Sequence, residues 1–436
     1  MKLKTLFIPM DAYGHVNSCI GLAKQLIKYD HEIIFIVPTN WTKAVEGHGF
    51  TIKTVSLEGY EANVDPQSGF SHFMEDKEKL YNMEPIEQFE VLNVNIHDAF
   101  LRYLEQTDDQ YEQLISQIKP YLIIYDFWVT VPAILKSGIP YILLWSCSPT
   151  LPYWKVNGPP YSSGLGISDA PEKLKKYRDD MNSLLKDKKS KFYDYYQSRG
   201  IDISKVTFLD FTMLNESPYL SVYSYPEDLD YSEYGPVPDK WFRLDHIVRL
   251  SDPATPLGID ATFFQTKDKV ILFTLGSLGT SNYNLITRLV NFLEKSKHKY
   301  IVSTGVHHDK IKLHANMCGS QYLNQMAIMP RVDMVIHHGG NNSLVETLYF
   351  GKPFIVMPLF GDQHDNARRV VDKKIGKWLH PFRVSEDELL KTIDEVLSDE
   401  EMHERVKLIS LKMQNTKSHQ IFNEKIIKIV KEHTKQ

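Results

Sequence analysis

Cysteine is scarce in this chain and unpatterned: Cys19, Cys147 and Cys318 are the only three in 436 residues, and no C-x-x-C occurs. Neither a disulfide framework nor a thiolate zinc site is indicated, and the cytosol is the expected compartment. Long apolar runs are missing too. No stretch reaches the ~18 apolar residues of a membrane span. The apolar start, residues 1–9, is too short for a secretory leader and is expected as a first strand. An excess of positive charge is also lacking. With 50 Lys and Arg against 55 Asp and Glu, the net charge is -5, which argues against the basic face of a nucleic-acid binder. The basic cluster over residues 186–191 is diluted by acidic neighbours and reads as solvated surface. Metal spacing is equally thin. His307-His308-Asp309 lacks a third ligand, and Asp228-Leu229-Asp230 sits in a Pro- and Tyr-rich stretch, which is expected as linker.

What the chain does have is length and alternation. At 436 residues it exceeds what one hydrophobic core usually supports, so two domains are expected. Apolar strand-like runs over residues 5–9, 31–37, 51–55, 121–125 and 141–145 alternate with helical spacing over 16–29, 85–117 and 131–136. That alternation makes a parallel sheet. A Gly, Ser and Pro loop is expected over 63–73. An aromatic-rich irregular stretch fills 149–210, with a charged helix around 173–199. A second β-rich block begins at residue 269 and repeats the strand, turn, helix order. The division this suggests is 1–240 for the first domain, 241–265 for a linker, 266–415 for the second domain and 416–436 for a closing helix.

The densest chemistry lies between Tyr322 and Asn366. The apolar run Met334 to Ile336 ends in His337-His338-Gly339-Gly340-Asn341-Asn342-Ser343. A helix follows with its stop at Gly351, and a second apolar run ends at Pro358 before Gly361-Asp362-Gln363. Such a unit aims a helix N-terminus, with its unpaired N–H groups, beyond the strand's carboxyl edge. Gly339 and Gly340 admit close backbone approach, Ser343 offers a hydroxyl, and His338 a ring nitrogen. Glu346, one turn on, could accept hydrogen bonds from a ribose diol. The same Ser343 to Glu346 spacing also fits a helix capping box, and the residues alone leave both readings open.

His15 is the second candidate. It follows Gly14 at a strand-to-helix turn, the carboxyl edge where doubly wound sheets bind ligands, and Asp126 ends another strand. An imidazole there could take a proton from a hydroxyl, with a carboxylate orienting the ring.

Residues 322–366 resemble the nucleotide-sugar signature of the family 1 UDP-glycosyltransferases. The resemblance implies that His338, Gly340, Asn342 and Ser343 contact the diphosphate, that Glu346 holds the ribose, and that Asp362 and Gln363 hold the sugar hydroxyls. Tyr322-Leu323-Asn324-Gln325 stands where the family has Trp-x-Pro-Gln. Tyr322 thus offers a smaller stacking face to uracil beside Leu323, and Gln325 keeps a ribose-facing role. Ser277 matches a Gly-Ser turn facing the diphosphate. Gly14-His15-Val16-Asn17-Ser18 departs from the family's Gly-His-x-x-Pro only in its last letter, and Asp126 matches the Asp that supports the His.

What this implies is an α/β protein of two Rossmann-like domains facing each other across a cleft, the GT-B architecture, with the last helix crossing back onto the first domain. The implied reaction is inverting, metal-independent transfer of a hexose, glucose above others, from a UDP-sugar to a hydroxyl of a small lipophilic acceptor. Flavonoids, macrolides and other xenobiotics are the family's habit. No cofactor, nucleic acid or membrane is implied, and a cytoplasmic monomer is expected. A lipid-sugar transferase or a nucleotide-sugar epimerase on the same plan is the alternative. A UDP-sugar-binding protein without catalysis would lack the base that His15 provides.

Overall fold

Two parallel sheets organise the computed structural model, which describes residues 1–64, 66, 79–251 and 255–435, apart from the side chains of residues 93 and 94. Most of the loop expected over 63–73, and Pro253 and Ala254 of the expected linker, lie outside the described residues. The first sheet comprises β1 (Lys4–Pro9), β2 (Glu32–Pro38), β3 (Thr51–Val55), β4 (Leu122–Asp126), β5 (Tyr141–Trp145), β6 (Leu220–Ser224) and β7 (Trp241–Leu244), in the order β3-β2-β1-β4-β5-β6-β7. The second comprises β8 (Val270–Thr274), β9 (Lys299–Ser303), β10 (Met317–Ser320), β11 (Met334–His337), β12 (Phe354–Val356) and β13 (Lys377–Trp378), in the order β10-β9-β8-β11-β12-β13. The α/β class of two Rossmann-like domains is as expected.

The central strands are largely apolar because both faces of each sheet are covered there, while the edge strands β3 and β13 are largely exposed. Along β4, Ile123 and Tyr125 point into one core with Leu6, Ile8, Leu143 and Trp145. Leu122 and Ile124 point into the other, with Phe7, Phe35 and Leu144. This period of two places β1 and β4 at the centre and sets their register, with Pro9 opposite Asp126.

The strand order reverses between β1 and β4 in the first sheet, and between β8 and β11 in the second. At such a point the following connections leave to opposite sides, and a crevice opens at the strands' carboxyl ends. His15 and Asp126 follow or end the first pair. Ser277 and His338 follow the second.

The chain between 225 and 238 is not a linker between domains. It joins β6 to β7 inside the first sheet and buries Tyr225, Leu229, Asp230 and Tyr231. The first sheet also continues past residue 240, because β7 occupies part of the segment expected as linker. The closing helix, Ser418–His433, places Phe422, Ile426 and Val430 at four-residue spacing into the first domain's core. Its Asn423 Oδ1 lies 2.7 Å from His31 Nε2. It therefore packs back on the first domain.

Candidate active site

His15 sits in the first turn of α1 (Tyr13–Ile27), three residues after its N-cap Ala12. Its Nδ1 donates to Asp126 Oδ1 at 2.7 Å, and both residues are buried. Because the carboxylate can only accept, the proton resides on Nδ1 and Nε2 keeps its lone pair. Ser146 Oγ lies 3.0 Å from the same Nδ1. Ser146 follows the end of β5, so three neighbouring strand ends build this centre. Sequence reasoning missed Ser146, since a serine after a strand carries no signal of its own.

On the second sheet, α2 (Asn341–Tyr349) begins at Asn341 with Gly340 as its N-cap. Ser343 is therefore inside the first turn and cannot cap it, so the capping-box reading is not built. Glu346 is buried, and its Oε1 is 3.4 Å from Arg249 Nη2. Burial raises the pKa of this carboxyl, and Arg249 opposes the shift. Arg249 lies in the segment that joins the two sheets, and nothing in its sequence context signals this contact.

The His338 ring is held between two glycines. A Cβ on Gly276 would lie 2.6 Å from its Cε1, and one on Gly340 would lie 2.5 Å from its Nε2. Burial lowers the pKa of His338 to about 4, so at neutral pH the ring is uncharged and offers a single N–H. Its Nδ1 is buried without a partner. Gly276 also has φ +69°, which an L side chain adopts at a cost of ~1–2 kcal/mol. Gly276→Ala is thus expected to displace the ring and weaken UDP binding at least ~10-fold. Calorimetric titration with UDP checks this, with His338→Ala as the reference for loss of the ring alone.

Ser277 lies beside Gly276 in a short helical turn, Gly276–Gly279, at the end of β8. Gln325 opens the turn Gln325–Ile328, and its Nε2 donates to Thr274 Oγ1 at 3.1 Å. Tyr322 is 51% exposed and Leu323 partly buried just before it. These residues line one edge of the second sheet, around the strand-order reversal.

Asp362 and Gln363 begin α3 (Asp362–Asp372), after Gly361 at φ +61°. Burial raises the carboxyl of Asp362 to about 6. The Ser148 N–H, which donates to its Oδ2 at 3.0 Å, works against that rise, as would a positive charge on His15. Gln363 is partly committed: its Oε1 accepts from Leu359 N at 2.8 Å and Phe360 N at 3.3 Å, leaving the amide hydrogens for a ligand.

The Asn342 side chain spans the two domains. Its Oδ1 accepts from Ser18 Oγ at 2.9 Å and its Nδ2 donates to Gly14 O at 2.8 Å, so in this structure it ties the second domain to the His15 turn. Neighbouring Asn341 donates to Ser146 O and Ser224 O, each at 3.1 Å. The two strand-order reversals therefore face each other across contacts only one hydrogen bond long.

The weak metal motifs find other partners. Asp230 accepts from Tyr223 OH at 2.7 Å and Tyr231 N at 2.9 Å, while Asp228 pairs with Lys412 at 2.6 Å. His307 Nε2 donates to Ser281 O at 2.7 Å, and His308 Nδ1 lies 2.8 Å from Thr304 Oγ1. Among the described residues, no group of three or more His, Cys, Asp or Glu is set to hold a metal ion. Nor is any described helix long and apolar enough to cross a membrane.

Known proteins agree with this arrangement. Residues 242–416 match the model of the family "UDP-glucoronosyl and UDP-glucosyl transferase". The chain is 23% identical over 414 residues to NDP-glycosyltransferase YjiC of Bacillus subtilis (strain 168), covering 93% of this chain and 92% of that one. It is 23% identical over 422 residues to UDP-glycosyltransferase UGT4 of Dactylopius coccus, covering 91% of this chain and 79% of the relative. Among solved structures, glycosyltransferase VinC in complex with dTDP superposes with a TM-score of 0.66 at 16% identity, over 99% of this chain and 100% of that one. The fold is shared with it. Residues 242–416 thus match that family's model, and over most of its length the chain is similar to glycosyltransferases at 23% identity.

Proposed function

We propose that this glycosyltransferase moves a hexose, glucose in preference, from UDP to a hydroxyl of a small lipophilic acceptor, with inversion and without a metal. The observation that carries the reading is the meeting of His15 and Asp126 with the Asp362 turn of the other domain. Ser146 touches His15, and Ser148, two residues on, donates to Asp362.

The chemistry follows from the groups. The acceptor O–H gives its proton to His15 Nε2 as its oxygen attacks the anomeric carbon, and Asp126 stabilises the imidazolium that forms. The bond from that carbon to the diphosphate oxygen breaks. The departing charge meets the first N–H groups of α2 and the N–H of His338. One displacement inverts the centre. A ribose diol supplies two donors to Glu346 where a deoxyribose supplies one, which favours uridine over thymidine nucleotides. The amide hydrogens of Gln363 and the carboxylate of Asp362 present a donor and an acceptor to an equatorial 4-hydroxyl. The axial epimer would leave a buried polar group unpaired, at about 1–3 kcal/mol.

UDP release tests all of this together. With a phenolic acceptor and EDTA present, release from UDP-glucose is expected to depend on the acceptor, and its kcat/KM is expected to exceed that for UDP-galactose by ~5-fold or more. Release that needs no acceptor, a strict metal requirement, or equal values for the two sugars would each defeat the corresponding part of the proposal.

A further inference from the structure

Helix α3 carries more than the sugar-facing pair at its start. Its Asp365 is 1% exposed and belongs to the second domain, yet every hydrogen bond to its carboxyl group comes from the first. Ser162 N donates to Oδ2 at 2.8 Å, Ser148 Oγ to Oδ2 at 3.2 Å and Gly164 N to Oδ1 at 3.0 Å. The loop 160–166 curls around this carboxyl group with Ser162 at φ +64° and Gly164 at φ +61°. Backbone N–H groups that converge through left-handed residues form a concave anion nest, here filled by a side chain from the other domain. Ser162 is a non-glycine residue in that region, so the conformation needs a partner to hold it. Nearby, Arg368 Nη1 reaches Asp169 at 3.1 Å, and a Cβ on Gly166 would come within 2.9 Å of Asp372 Oδ2. The loop is thus moulded to α3.

The same loop carries Tyr161 to the reacting centre. Its ring stacks on Phe211 at 4.6 Å and meets Trp128 edge-on at 5.3 Å, next to the Asp126 strand end. At its other end, the Tyr161 hydroxyl lies 3.3 Å from where a Cβ on Gly361 would sit, just before Asp362. We infer that Asp365 is a positioning residue for the acceptor: it seats loop 160–166, and with it Tyr161, at the reacting centre when the domains are together. The acceptor wall is then completed by the donor domain. This rests on the transferase reading above.

The test uses the full chain with Asp365→Ala and Asp365→Asn. The asparagine keeps the shape but turns N–H groups toward at least one of the three donors. With 4-methylumbelliferone as acceptor at saturating UDP-glucose, KM for the acceptor is expected to rise ~10-fold in both variants, while Kd for UDP stays within ~2-fold. Hydrogen exchange over 160–168, which needs no substrate, is expected to quicken at Ser162 and Gly164. Should Asp365→Ala fail to fold, Ser148→Ala removes one donor alone and is expected to raise acceptor KM ~3-fold. Unchanged exchange overturns the inference, as does faster exchange with unchanged acceptor KM, or KM and Kd rising in step. A wild-type chain that releases no UDP would instead sink the transferase reading, while the exchange result still reports on the Asp365 contact.

Discussion

His15→Ala is expected to stop transfer while leaving UDP bound. A positioned base contributes typically ~10²–10⁴ in rate, and His15 is the base in the proposed reaction. Its Nδ1 is committed to Asp126, which fixes the tautomer and leaves Nε2 as the base. Turnover with a phenolic acceptor should therefore fall by at least ~10²-fold. Calorimetric Kd for UDP should move little, because the residues proposed to hold the nucleotide belong to the second sheet. Asp126→Asn should also lose activity, though less for acceptors acidic enough to ionise unaided. A His15→Ala enzyme with wild-type turnover would remove the base from the account. A parallel loss of UDP affinity would mean that the Gly14 turn, held by Asn342, matters more to the donor than to the acceptor.

Glu346→Ala carries the second large effect, roughly 1.5–3 kcal/mol of UDP affinity if the carboxylate accepts charge-assisted bonds from the ribose. The structure sharpens this test. Glu346 is buried, and Arg249 is its ion-pair partner, so a nucleotide must take over or share that carboxylate. Removing Glu346 frees a partly exposed guanidinium, which water can solvate. Removing Arg249 strands a buried carboxylate, which costs more in the fold. Glu346→Ala is accordingly expected to lower UDP affinity with little loss of thermal stability, and Arg249→Ala to lower stability first. A Glu346→Ala variant that loses stability but binds UDP as before would make the residue purely structural.

How much was legible follows from where each signal lives. The strands β1, β4, β5 and β11 announce themselves because they are covered on both faces and run apolar over most of their length. β6 and β7 did not stand out. The connection between them is rich in Pro and Tyr and reads as linker, but its tyrosines turn inward, and β7 is a four-residue strand, partly exposed. The turns bearing His15, His338 and Asp362 were legible because glycine and strand ends bracket them.

Contacts between domains were not, since no periodicity links Arg249 to Glu346 or Asp365 to Ser162. Ser18 is instructive. As a letter it is a lost proline at the start of a helix. In space its hydroxyl reaches Asn342, so the departure exchanges local stiffness for a bond across the cleft. Asn342, assigned to the diphosphate by its place in the motif, shows the reverse: sequence located it at the right helix end but could not show which partner holds it in this state.

The central claim is that two facing strand-order reversals deliver a sugar from one domain to a hydroxyl activated on the other, in a single displacement. The anomeric configuration of the product tests it most directly. Incubation with UDP-α-glucose and a phenolic acceptor, followed by proton NMR of the purified glycoside, is expected to show the β-anomer alone, with none formed by His15→Ala. An α-glycoside would require a second displacement or a different nucleophile, for which this account has no residue, and would contradict it.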